Sequence, residues 1–98
     1  MTEESSSISY VHNPERTRYE IHDGETLAGF TEYVLPDDTH VDFVHTEVDE
    51  AYGGQGLAGG VVEFALADVR AQGKRIIAHC PYVVKWLSKH PEYDDITD

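Results

Sequence analysis

The chain has 98 residues, 40% of them apolar, with 19 acids against 7 bases and a net charge of −12. That length holds one small domain with a modest core. No apolar run is long enough to span a membrane, and the acid excess opposes nucleic acid and anionic lipid surfaces.

The first seven residues, Met1-Thr-Glu-Glu-Ser-Ser-Ser7, have the pattern of neither a secretory nor a mitochondrial targeting peptide. A disordered lead-in is expected over residues 1–8. Ser9 to His12 reads as a short strand, closed by the Asn13-Pro14 turn signal. Thr17 to His22 alternates, with Tyr19 and Ile21 on one face. Asp23-Gly24 marks a hairpin, Thr26 to Leu35 is its partner strand, and Val41 to Val48 is the third strand of a meander. Residues 1–50 hold 13 acids and 2 bases, whereas residues 51–98 hold 6 and 5. The second half is therefore where an anionic ligand meets no opposition. Such acidity also suits a salty cytoplasm, where screening removes the self-repulsion.

Ala51-Tyr-Gly-Gly-Gln-Gly-Leu-Ala-Gly-Gly60 follows the third strand and opens a run of helical period. Glycines let a ligand approach the backbone, and first-turn N–H groups have no internal partner. Together they suit phosphate oxygens without any cation. By itself the loop is equally a glycine-rich turn ahead of an ordinary helix. Leu57, Val61, Ala65 and Val69 recur on one helical face, and Gly73 ends the helix. Gly59 and Gly60 each cost about 1 kcal/mol against alanine, so something close-packed is expected there, either ligand or sheet. Lys74 to His79 is a strand, and strand-helix-strand succession favours parallel pairing. Pro81 starts a last helix, from Tyr82 to Lys89. His90-Pro91-Glu92-Tyr93 stops that helix, and a polar tail follows.

Cys80 is the one cysteine, which excludes an intrachain disulfide and points to a reducing, cytoplasmic setting. The histidines, His12, His22, His40, His45, His79 and His90, offer no close pair at ligand spacing, so no metal is expected.

Four stretches in this order, Val44-His-Thr-Glu-Val48, Gly53-Gly-Gln-Gly-Leu-Ala58, Cys80-Pro-Tyr-Val-Val84 and His90-Pro-Glu-Tyr93, resemble the small YjdJ-type subgroup of the GNAT superfamily of acetyl-CoA-dependent N-acetyltransferases. The resemblance spans residues 10–94. It implies an α/β (α+β) minimal GNAT-like fold: an antiparallel meander, then a strand-helix-strand unit and a short C-terminal helix. The domain would cover residues 9–94, with a tail at 95–98. It implies that the backbone of Gly53, Gly54, Gln55, Gly56, Leu57 and Ala58 holds the cofactor's pyrophosphate. Gly53 stands where the superfamily signature has arginine or glutamine, and backbone donors carry the anion there. The strand Val44 to Val48, through Val44, Thr46 and Val48, would bind the pantetheine arm as an added strand. Cys80 would lie near the thioester, at a helix start that favours thiolate; a buried free cysteine also packs as a small hydrophobe.

Transfer to an amine needs a base. His79 is a poor one for Cys80, because adjacent strand residues point to opposite faces. His45, on the neighbouring strand, is the better candidate; Glu47 could act through water, and Tyr82 could protonate the leaving thiolate. The resemblance implies acetyl-CoA as cofactor and a small-molecule or protein amine as acceptor, with no nucleic acid or membrane partner. The acidity favours a cationic amine, and a monomer or weak dimer is expected. Two other readings use the same residues: an acyl-CoA-binding module without turnover, and an interaction protein that has lost the ligand.

Overall fold

A computed structural model describes residues 7–98. Five strands form one sheet in chain order: β1 (Ile8–Asn13), β2 (Arg18–Asp23), β3 (Thr26–Val34), β4 (His40–Val48) and β5 (Arg75–Ala78). The first four run antiparallel, as the meander reading expects, and β5 joins β4 in parallel. Helix α1 (Leu57–Ala71) makes that crossover, and α2 (Pro81–Ser88) follows β5. No helix among the described residues is long and apolar enough to cross a membrane.

One face of the sheet carries the core. Tyr19, Ile21, Tyr33, Val41, Phe43 and Ile76 meet Val61, Val62, Ala65, Leu66 and Val69 of α1 and Val83 and Leu87 of α2, all buried. The period of 3.6 in α1 is what aligns its apolar residues into this stripe. Gly73 ends α1 at φ +72°, with Lys74 N–H reaching Val69 C=O and Gly73 N–H reaching Arg70 C=O. That satisfies the last carbonyls in a Schellman motif. The close packing expected at Gly59 and Gly60 is present within the protein. Tyr10 of β1 fills the space a Cβ on Gly60 would take, and the Tyr82 hydroxyl and Trp86 Nε1 lie against Gly59.

Three features depart from the sequence reading. Ile8 already belongs to β1, and Ser7 C=O accepts the Gly24 N–H, so the lead-in stops earlier than residue 8; its residues 1–6 lie outside the described residues. The expected tail is docked. Pro91–Ile96 forms a 3-10 helix, Asp98 N–H donates to Ile76 C=O, and the Asp98 carboxylate takes Arg75 Nε at 2.6 Å and His40 Nε2 at 2.7 Å. Finally, Glu32 pairs with His45 while the next residue, Tyr33, pairs with Phe43. Val44 is therefore an extra residue in β4, a β-bulge that reverses which side chains face the core beyond it.

Candidate functional site

The site begins where β4 and β5 part. Their pairing ends at Phe43 with Ala78. The N–H groups of His79 and Cys80 then both donate to Phe43 C=O, each at 2.9 Å. That double bond to one carbonyl is the last link before the chain turns into α2. Beyond it Val44 to Val48 keeps only the β3 partner. Asp49 N–H donates to Ala28 C=O of β3, and antiparallel main-chain groups alternate in direction. Thr46 and Val48 therefore turn their N–H and C=O toward the open side, where an extended ligand arm can add as a strand.

The glycine loop follows. Asp49 caps a single 3-10 turn, Glu50–Tyr52, by accepting the Ala51 N–H. Gly53 N–H is spent on Glu50 C=O at 3.1 Å, so Gly53 offers no donor to a ligand, contrary to the sequence reading. Gly54 and Gly56 take φ +78° and +75°, a left-handed backbone that other residues adopt at a cost. This turns successive amides to one side. Among the described residues, the N–H groups of Gly54, Gln55, Gly56, Leu57, Ala58 and Gly59 have no protein acceptor; the helical ladder starts with Gly60 N–H to Gly56 C=O. The first turn of α1 carries no acid. Unpartnered amides, a helix start and the absence of a carboxylate in the first turn are the features that suit an anion.

Cys80 is 3% exposed and donates its thiol to Thr46 Oγ1 at 3.3 Å, which in turn lies 2.9 Å from Thr31 Oγ1. The thiol thus sits at the inner end of the cleft, with its side chain across from β4. His45 does not meet it. The bulge at Val44 sends Thr46 to the core side and His45 to the other face, where His45 Nε2 lies 3.1 Å from Glu47 Oε1 and the ring packs near Phe30. His45 and Glu47 are both exposed, and the expected His45–Cys80 pairing is absent. Tyr82 directs its hydroxyl to the first turn of α1: a Cβ on Gly59 would stand 3.4 Å from it.

The uncovered face also carries a pair that the sequence reading passed over. His79 Nδ1 lies 2.9 and 2.8 Å from the two carboxylate oxygens of Asp42. The Asp42 side chain is 12% exposed and the His79 side chain 71%. A buried carboxylate that holds Nδ1–H leaves Nε2 as a free acceptor directed to solvent. The signal for it was available: residue 42 lies on β4 and residue 79 directly follows β5, its parallel neighbour, each displaced from the apolar phase. Among the described residues no three metal-binding side chains cluster.

The family model of the GCN5-related N-acetyl-transferases matches residues 18–96. A Staphylococcus aureus protein described as GCN5-like superposes with a TM-score of 0.75 at 23% identity, over 96% of this chain and 91% of that one. Ard1 from Thermoplasma volcanium gives 0.55 at 19% identity, over 64% of this chain and 42% of its own. A GNAT-family protein of Desulfovibrio desulfuricans gives 0.55 at 20%, over 62% and 41%. At these identities the likenesses concern the fold, and for the last two this chain spans under half of their length. No curated protein matches the chain.

Proposed function

Because the chain belongs to the GCN5-related N-acetyl-transferase family, we propose that it binds acetyl-CoA and transfers the acetyl group to an amine. The observation that carries this reading is the juxtaposition of unpartnered amides from Gly54 to Gly59 with a strand edge left open from Val44 to Val48. Both halves of the cofactor find main-chain donors there, and no acid in the first turn of α1 repels the phosphates.

Bound acetyl-CoA supplies a thioester carbonyl ready for nucleophilic attack. Gly54, Gln55, Gly56, Leu57 and Ala58 hold the pyrophosphate through their amides, while Gly53 shapes the turn. Thr46 and Val48 hold the pantetheine arm through the main chain, while Val44, the bulge residue, sets where that edge begins. An amine must be neutral to attack, so a base has to take its proton. His79 fills that role at Nε2, oriented by Asp42 at Nδ1. It stands where β5 leaves β4, beside the cleft. With acetyl-CoA held there, forming the N–C bond and breaking the C–S bond would release CoA as its thiolate, and the amine's proton would pass to His79 and on to solvent. Tyr82 is a contact at the phosphate end. Cys80, buried and hydrogen-bonded to Thr46, favours direct attack over an acetylated thiol. Glu32, Asp42 and Glu47 on the uncovered face favour a cationic acceptor such as a polyamine or a lysine side chain.

The test is a thermal-shift titration with CoA, followed by acetyl transfer to a polyamine and to a neutral amine of similar size. The reading expects a rising melting temperature with CoA, faster transfer to the polyamine, and loss of transfer with retained CoA binding in His79→Gln. Intact-mass measurement after incubation with acetyl-CoA should leave Cys80 unmodified. A melting temperature indifferent to CoA would remove the basis for the whole reading.

A further inference from the structure

The glycine loop does not stand alone. Immediately beside it, α2 presents a cavity of about 240 Å³ lined by Tyr82, Lys85, Trp86 and Lys89. Its link to the loop is direct, since the Tyr82 hydroxyl and Trp86 Nε1 both lie against Gly59, the last residue with a free amide. Arg18, Arg70 and Arg75 are each neutralised by a carboxylate, Glu20, Asp95 and Asp98 respectively. Lys85 and Lys89 have no carboxylate partner among the described residues, and they line one cavity four positions apart, Lys85 within α2 and Lys89 as the residue that caps its end. Like charges at that spacing repel. In a chain of net charge −12, two such cations placed together and left unpaired suit a compact anion with more than one negative charge.

We propose that this cavity holds the 3′-phosphorylated nucleotide end of the cofactor, an inference that rests on the acetyl-CoA reading above. The loop amides take the pyrophosphate. Lys85 and Lys89 take the 3′-phosphate as paired point charges. The flat rings of Tyr82 and Trp86 offer surface to the purine, as aromatic side chains do for nucleobases; Trp86 is itself held flat by His90, stacked at 3.5 Å and 7°. The chain then selects the 3′-phosphorylated cofactor over a carrier that lacks this group. The cation missing from the loop at Gly53 is supplied instead from α2.

The experiment compares CoA with dephospho-CoA, which differs only in the 3′-phosphate, by calorimetric titration of the full chain. The wild type should bind CoA about tenfold more tightly than dephospho-CoA at low salt, a preference that shrinks as salt rises. In a Lys85→Gln/Lys89→Gln double variant, whose unchanged melting temperature confirms folding, CoA affinity should fall to the dephospho-CoA level while dephospho-CoA affinity stays put. Equal wild-type affinities would overturn the inference and leave the acetyl-CoA reading intact. So would a preference that survives in the double variant. Binding of neither nucleotide would overturn both.

Discussion

The two halves of β4 differ more than their sequences suggest. His40 to Phe43 has a partner strand on each side and places Val41 and Phe43 in the core. Val44 to Val48 has a partner on one side only, and its side chains are intermediate or exposed. A single extra residue, Val44, and the departure of β5 after Ala78 separate the two. One strand is thus paired on both sides at its start and left with a free edge at its end, and what distinguishes the halves is pairing rather than residue type.

The contrast breaks most severely in the scaffold half. Phe43→Ala should cost about 3–5 kcal/mol in chemical denaturation, because a fully buried ring leaves a cavity beneath both helices. In the open half, truncating Val48 to Ala should cost under about 1.5 kcal/mol, since its side chain is only partly buried against the core. Similar losses at both positions would erase the distinction.

Gly29 is where the open half is most vulnerable. A Cβ there would stand 2.5 Å from Glu47 C=O and 2.9 Å from Val48 Cα, both backbone. Gly29→Ala should therefore push β4 off β3 and cost about 1–3 kcal/mol, while weakening CoA binding. Gly56→Ala meets no steric obstacle but keeps φ +75°. It should cost about 1–2 kcal/mol of stability and reduce CoA affinity through a distorted cradle, read by the same titration.

Most of this frame was legible in the sequence. The meander, the parallel return and α1 followed from alternation, turn residues and helical period, with bounds within a residue or two. The bulge was not. A strict period of two carries the apolar phase of Val41 and Phe43 on through His45, whereas the extra residue turns His45 to the opposite face. Only pairing against Tyr33 and Glu32 reveals the extra residue. The docked C-terminus was equally hidden, because its anchors, His40 and Arg75, lie far away in sequence. The glycine loop and the helix start after it were legible from glycine content and position, although the loss of the Gly53 amide to Glu50 was not. The Asp42–His79 pair is made by the parallel pairing of β4 with β5, a contact that neighbours in sequence do not show.

The smallest expected effect concerns the scaffold half's anchor, His40. The Arg75 guanidinium holds the Asp98 carboxyl below its usual range against some desolvation, with His40 adding to it. A hydrogen bond to Asp37 raises His40, again against desolvation, and Asp98 adds to it. A depressed carboxylate stabilises above its unfolded pKa and ceases to as pH falls through the folded value. A raised histidine stabilises below its unfolded pKa and ceases to as pH rises through the folded value. The anchor should be tightest between about pH 4 and 6.5, and looser on either side. The Asp98 amide resonance should shift as pH falls below about 4 in the wild type, and the resonance of residue 98 in Asp98→Asn should lack that shift.

One measurement bears most directly on the account: an amide NMR titration of the full chain with CoA. The largest shifts should fall on Gly54 to Gly59 and on Thr46 and Val48, with Val41 to Phe43 nearly still. Saturating CoA that moves the amides of the paired half while leaving the loop and the open edge unmoved would contradict it.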